Sequence, residues 1–246
     1  MGIYYPKTMK VLYRFSDLGY EKRKLQTVNN QNCFINFCNN FLEKNFDGVT
    51  IIMDNCYPQT VERFKNIIKT IGGSGIPQII TTKHGNAGSY KYALQYAIEN
   101  FNDEEIVYFV EGDYIHDIGS KKILEEGFNL IGAEIDYVTL YAHPDKEATP
   151  DRIIPEYIFR SANSYWRTTE ATTMTHAAKV KTIKQDFPII NKWISNLHPD
   201  DYRMFLELKS NGKLLVSSIP GYSTHGETAW LSPFKDWNHI LEKSIS

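Results

Sequence analysis

The sequence predicts an α/β protein: a mostly parallel, Rossmann-like sheet with helices on both faces. Three observations predict it. Short apolar runs rich in β-branched and aromatic residues recur at KVLYRF (10–15), VTIIM (49–53), PQIIT (77–81), IVYFV (106–110) and YVTLY (137–141), and these read as strands. Between them apolar residues fall three and four apart, the spacing of one helix face. Strands that alternate with helices run parallel, because each crossover needs a connection long enough to hold a helix.

In chain order, the first strand is followed by a helix drawn from Leu25, Val28 and the run Phe34 to Leu42. Cys33 and Cys38 fall among Phe34, Phe37 and Phe41 and read as core residues. The second strand leads to a helix through Val61, Phe64, Ile68 and Ile71, and the third to one through Leu94, Ala97, Ile98 and Phe101. After the fifth strand the pattern changes. Residues 143–157 are polar and broken by proline, which predicts a large loop, and SYWRTTEATTMT (164–175) alternates threonine with other residues like a half-exposed strand. DDYRMFLELKSNG (200–212) has acids at its start and Gly212 at its end, the punctuation of a helix, and KLLVSSI (213–219) is the last strand.

Composition excludes several function classes. With 42% hydrophobic and 23% charged residues in 246, the chain is neither disordered, collagen-like nor coiled coil, and one large domain is allowed. The net charge of -2 gives no general attraction for nucleic acid, so a bound phosphate must be held locally. No apolar run approaches the roughly 18 residues that cross a bilayer, and residues 1 to 20 lack a secretory apolar stretch, so the expectation is a cytoplasmic protein without a transmembrane segment. Three cysteines, at 33, 38 and 56, match neither a disulfide framework nor a zinc pattern.

In sheets of this kind ligands sit outside the carboxyl ends of the strands, so chemistry is sought just after each apolar run. After the second strand stands Asp54, which suits either a nucleobase or ribose edge or a helix-capping turn. After the third comes TTKHGNAGSYKYAL, where glycines flank Asn86 before a helix. Free amides there favour phosphate or a sugar hydroxyl, although a plain loop reads the same. After the fourth come Glu111, Gly112 and Asp113. Carboxylates two residues apart leave an extended chain on one face, with space at the glycine, and make a hard oxygen site for Mg²⁺ or Mn²⁺. Without a cation, two such charges about 4 Å apart repel by around 4 kcal/mol at an effective dielectric of 20; the alternative is an acidic turn. Asp200 and Asp201 open a helix as caps or, alternatively, as a general base. His225 adds a nitrogen ligand, which leans toward Mn²⁺, or is a surface loop residue. From Arg160 to Thr175, Trp166, Arg167 and Glu170 form a candidate acceptor wall, with Glu170 a rival base and Arg160 or Arg167 a diphosphate clamp. The bland alternative is a solvent-facing strand.

Together, Asp54–Asn55, Asn86 to Gly88, Glu111 to Asp113 and Asp200–Asp201, followed by Gly212, a strand and His225, resemble the glycosyltransferases of family 2, nucleotide-sugar enzymes with the GT-A fold. The resemblance covers residues 10 to 237. It implies a single GT-A-like domain, with a donor-binding half over about 1–118 and an acceptor-binding half over about 119–246. It implies a soluble, non-processive hexosyl- or deoxyhexosyltransferase of polysaccharide biosynthesis. Sugar would pass, by metal-dependent inverting transfer, from a nucleoside-diphosphate donor to a glycan or lipid-linked acceptor; a lipid-linked acceptor would bring the enzyme to a membrane surface. Asp201, or failing it Asp200, would be the base. Asp54, His84, Asn86, Gly88, Glu111 and Gly112 would line the donor pocket, with Arg14, Ser16 and Asp17 from the first strand. Asp113, Glu111 and His225 would hold Mn²⁺ or Mg²⁺. The first strand's YRFSDLGY departs from the family's Pro and Asn, and Glu111 replaces the usual first Asp. The rival functions are a sugar nucleotidyltransferase, against which the lack of a Gly-rich triphosphate loop counts, and a non-catalytic nucleotide-sugar binding module.

Overall fold

The structure, a computed structural model, describes residues 9–19, 23–148, 156–195 and 198–246. Four strands form its parallel half: β1 (Lys10–Ser16), β2 (Val49–Asp54), β3 (Gln78–Thr82) and β4 (Ile106–Glu111). They lie in the order β3-β2-β1-β4, each connected by a helix: α1 (Asn30–Asn40), α2 (Pro58–Ile71) and α3 (Gly85–Asn100). Beyond β4 the sheet continues with β9 (His176–Lys179), β6 (Tyr137–Thr139), β10 (Leu215–Ile219), β8 (Tyr165–Thr168) and β7 (Ile158–Arg160). Only β9 and β8 run against the rest, so the sheet is mostly parallel.

Period-two alternation assigns the two faces. Val11, Tyr13 and Phe15 of β1 join Phe34, Phe37 and Phe41 of α1 and Phe64 of α2 in one apolar layer, which α4 (Ser120–Gly127) extends through Ile123 and Leu124. Leu12 points the other way, to Tyr90 and Leu94 of α3, to Ile183 of α6 (Val180–Trp193), and to Phe205 of α7 (Asp201–Ser210). Arg14 and Glu111, paired in register across β1 and β4, share this second face at the strand ends. Helices thus cover both faces, as expected, and Cys33 and Cys38 are fully buried. Burial pushes their thiols up, to about 12 for Cys33, which makes them inert.

Several boundaries differ from the sequence expectation. Asn29 accepts a hydrogen bond from Asn32 N at 2.8 Å and starts α1 there, so Leu25 and Val28 belong to the connection before it. The Thr-rich segment supplies only the short strand β8, then turns through Thr173 and Met174, both at positive φ, before β9. The expected loop over 143–157 holds the one-turn helix α5 (Asp145–Ala148), and part of it lies outside the described residues. A second sheet pairs β5 (Tyr114–His116) with β11 (Ser223–His225), and α8 (Trp237–Ile245) closes the chain. Among the described residues no helix is long and apolar enough to cross a membrane.

Candidate active site

The end of β4 and the small β5/β11 sheet build the centre of the site. Tyr114 pairs with His225 across that sheet, and Gly226 N donates to Asp113 O at 2.8 Å, so the chain after β11 is tied to the residue just past β4. Glu111, Asp113 and His225 each offer a ligand atom, and these atoms lie within 4.8 Å of one another. Asp113 Oδ2 is 3.2 Å from His225 Nε2. The carboxylates are partly open to solvent, at 18% for Glu111 and 17% for Asp113, while His225 is buried.

Two cations neutralise the acids. Arg14 pairs with Glu111 Oε1 and also donates through Nη1 to Asn86 O, Asn86 Oδ1 and Ser89 Oγ at 3.0–3.1 Å. Lys24 Nζ sits 2.9 Å from Asp113 Oδ2. Burial alone would push the Asp113 carboxyl up, but His225 and Lys24 outweigh it and hold it far below the usual carboxylate range. Glu227 N donates to His225 Nδ1 at 3.2 Å, which leaves the ring proton on Nε2 beside Asp113 Oδ2; ligation of a metal through Nε2 requires the other tautomer, with Nδ1–H turned to the Glu227 carboxylate 3.9 Å away. In that tautomer Nε2 presents a lone pair beside the two carboxylates. One imidazole nitrogen and two carboxylates around it therefore suit a divalent cation, with the nitrogen favouring Mn²⁺ over Mg²⁺.

Other expected donor residues do structural work. Asp54 is 1% exposed, and its oxygens accept from Thr82 Oγ1, His84 N, Gly85 N and Asn55 Nδ2 at 2.7–3.0 Å. The carboxylate is saturated in holding the start of α3, which corrects the nucleobase or ribose reading in favour of the capping turn. His84 gives its N–H to that cap and sets its ring 5.4 Å from Tyr92. Asn86 turns both its oxygens to Arg14, and Gly88 lets α3 pass His84, whose Cβ would lie 2.9 Å from an added Cβ. Gly112 is a packing requirement, not a space for ligand, since a Cβ there would come within 2.4 Å of Phe15 Cβ. Ser16 Oγ accepts from Leu18 N, and Asp17 Oδ2 accepts from Tyr57 N at the start of α2. Asp17 also lines a polar cavity of about 370 Å³ with Asn29, Asn30, Thr60 and Arg63, and a larger groove of about 760 Å³ runs between α1 and α2, away from the carboxylates.

The acidic pair at the start of α7 divides its duties. Asp200 is the cap, accepting from Arg203 N at 3.1 Å, and is partly exposed. Asp201 turns inward, and Oδ2 accepts from Thr172 N and Thr173 N at 2.8 and 2.7 Å. That turn is joined to the metal-ligand cluster: Tyr114 Oη donates to Thr172 O at 2.9 Å, and Thr175 Oγ1 accepts from Glu111 N. Thr173, β-branched at φ 45°, is strained, and such strain concentrates at functional sites. Burial raises the Asp201 carboxyl above its ordinary value, against the Thr172 and Thr173 amides and nearby His143.

The acceptor wall expected over Arg160–Thr175 is corrected. Trp166 is fully buried beneath α4, its indole donating to Ser161 Oγ, and cannot meet a sugar. Arg160 stands on the edge strand β7. Arg167 is buried and paired with Glu147 at 2.7 Å. Glu170 is 1% exposed, with one oxygen on Lys146 (2.7 Å) and the other on Lys209 (2.6 Å). Burial would raise its carboxyl, but the two lysines hold it low, the opposite of a base. Lys24, Thr172 and Tyr114 were missed by sequence reasoning. Nothing marks a lysine in the connection after β1 as a partner of Asp113, and the threonines act through their backbone.

No family model matches the chain, and no curated protein matches it. Solved structures of similar chain path include GT-A-type glycosyltransferases and a nucleotidyltransferase. A mannosyltransferase from Pyrobaculum calidifontis, in complex with GDP-Man and Mn²⁺, is 11% identical at a TM-score of 0.48, covering 85% of this chain and 55% of that one. S. aureus TarS 1–349 in complex with UDP is 14% identical at 0.47, covering 87% and 60%. The 4-diphosphocytidyl-2C-methyl-D-erythritol synthase from Anaerococcus prevotii is 10% identical at 0.45, covering 96% and 95%.

Proposed function

We propose that this chain is a metal-dependent, inverting glycosyltransferase that moves a sugar from a nucleoside diphosphate to a hydroxyl of a glycan or lipid-linked acceptor. The convergence of Glu111, Asp113 and His225 at the carboxyl end of the parallel strands carries this reading, because it gathers a hard-cation ligand set where such sheets bind ligands. In this reading Asp113 and His225 hold Mn²⁺ or Mg²⁺, with Glu111 beside them, and the sheet from β1 to β4 forms the donor half. When bound, the ion neutralises charge on the donor diphosphate and on the departing nucleotide.

The protein's own groups supply the rest. Arg14 fixes Glu111 in place through its bonds to Asn86 and Ser89. The amides of Thr172 and Thr173 hold one oxygen of Asp201, leaving the other to take the proton of the acceptor hydroxyl. The hydroxyl oxygen forms its bond to the anomeric carbon as the carbon–diphosphate bond breaks on the opposite side, which inverts the centre without a covalent intermediate. A raised carboxyl suits this task, since a base works best with a pKa nearer the operating pH.

The test is a panel of UDP-, GDP- and dTDP-sugars with Mn²⁺, followed by proton NMR. Slow hydrolysis of one donor to nucleoside diphosphate and free sugar of opposite anomeric configuration is expected. Release of pyrophosphate from a nucleoside triphosphate would make the chain a nucleotidyltransferase, and donor binding without turnover would make it a binding module.

A further inference from the structure

With Trp166 buried, the acceptor surface must lie elsewhere, and the geometry points to Trp230 as its sugar-stacking platform. We propose that the exposed face of this indole binds a pyranose ring of the acceptor. The inference rests on the glycosyltransferase reading and names the acceptor subsite of the same site.

A chain of ring contacts leads from the metal-ligand cluster to this residue. The His225 ring lies 5.5 Å from Tyr114, Tyr114 lies 5.6 Å from Tyr141, Tyr141 lies 5.5 Å from His143, and His143 lies 5.2 Å from Trp230. Only the last is strongly exposed, at 42%; Tyr114 and Tyr141 are fully buried. The platform is fixed from below. Tyr141 Oη donates to Trp230 O at 2.7 Å, and Trp230 N donates to Glu227 O at 2.9 Å, while His143 covers one side of the indole. Asp145 holds the His143 ring in turn.

The surroundings are those of an acceptor. Asp201, the proposed base, accepts from Thr172 N, Thr172 O accepts from Tyr114 Oη, and the Tyr114 ring meets Tyr141, so the platform and the base share a neighbour. Tyr141 follows β6, on the opposite side of β4 from β1, β2 and β3, while Glu227 and Thr228, just before Trp230, bond to Lys24 and Arg23 in the connection after β1, so a ring on Trp230 sits where the two halves meet. A pyranose has an apolar C–H face and a hydroxyl edge. An indole buries the first, and the carboxylates of Asp145 and Glu227 nearby can accept from the second.

Saturation-transfer difference NMR on the full chain with Mn²⁺ and UDP or GDP tests this, using methyl α-glucoside, methyl α-mannoside and methyl β-galactoside as probes. At least one glycoside should receive saturation from the wild type. Trp230→Ala should reduce that signal about tenfold, and Trp230→Phe should retain most of it, as expected for a dominant aromatic anchor. Nucleotide affinity by calorimetry should stay within about twofold in both variants, and thermal denaturation should confirm that both fold. Equal saturation in Trp230→Ala, or none in a wild type that binds nucleotide, would overturn the platform alone. Failure of the wild type to bind any nucleotide with Mn²⁺ would instead overturn the glycosyltransferase reading, while a Trp230-dependent glycoside signal would still identify a sugar site.

Discussion

Lys24 places its ammonium 2.9 Å from Oδ2 of Asp113, the same oxygen that faces Nε2 of His225 at 3.2 Å. The position that a metal ion would neutralise is thus served by a side chain from the connection after β1. A lysine and a cation cannot share it: unit charges about 4 Å apart repel by around 4 kcal/mol at an effective dielectric of 20, and a divalent ion doubles the force. Metal binding must turn Lys24 out toward the solvent that already reaches 28% of its side chain. Lys24→Met is therefore expected to tighten Mn²⁺ binding by about tenfold while lowering the stability of the metal-free protein. Calorimetry of the variant with Mn²⁺ alone checks this, and unchanged or weaker affinity would show that Lys24 does not compete.

Asp113 and His225 should behave as one unit toward metal. Asp113→Asn and His225→Gln are each expected to weaken binding of a nucleoside diphosphate in Mn²⁺ by about 100-fold, because each removes a ligand from a set of three. Chelation of the metal should reproduce the loss in the wild type. Nucleotide affinity that ignores both the variants and the chelator would remove the metal site.

Asp201→Asn should lower turnover by about 10² to 10⁴ with donor affinity kept, the usual contribution of a general base. Its neighbours give controls. Asp200→Asn should alter stability by no more than about 1 kcal/mol and leave turnover near normal, because asparagine caps as well as aspartate. Glu170→Gln should lower stability by about 1–3 kcal/mol in denaturant titration, because the buried Lys146 then keeps only the partly exposed Glu156 and Lys209 loses its anion. The acid limb of the rate profile should lie above the ordinary aspartate value of about 3.9, since burial raises Asp201 and the ionised form is the active one. Loss of turnover in Asp200→Asn instead of Asp201→Asn would move the base.

What was legible in the sequence follows from the range of each interaction. Glu111 and Asp113 were legible as neighbours because they stand two residues apart where the apolar strand ends, although the expected extended chain stops at Glu111 and Gly112–Asp113 turn before β5. Asp54 was misread because three of its four partners, Thr82, His84 and Gly85, lie about thirty residues further on. Trp166 was misread because its threonine-rich surroundings look half-exposed. Its burial depends on Gly127 of α4, where even a Cβ would come within 2.8 Å of the indole. Helix α6 escaped notice in a stretch interrupted by Pro188, which a helix interior normally rejects, yet Ile183 and Ile190 are fully buried against the sheet. Local patterning thus reads strand ends well and reads long-range partners poorly.

The core also holds two histidines that make acid a specific threat. His116 is fully buried between Phe37, Phe41 and Tyr108, with Nε2 at 2.8 Å from Tyr108 Oη and Nδ1 without a partner. His176 lies among Tyr90, Phe109, Tyr137 and Phe205. Burial pushes each down to about 3, so the folded protein keeps both neutral where an unfolded chain takes up protons near pH 6.5. Between those values only the unfolded state binds the proton, so stability falls as pH drops from 6.5 toward 3, by about 1.4 kcal/mol per pH unit for each ring. At pH 5 the two together should cost roughly 4 kcal/mol, in a window above the range where ordinary carboxylates titrate. Urea midpoints measured from pH 7 to pH 5 should show this slope, and His116→Gln should halve it. A slope that His116→Gln leaves untouched would mean that this ring already shares its proton in the folded state.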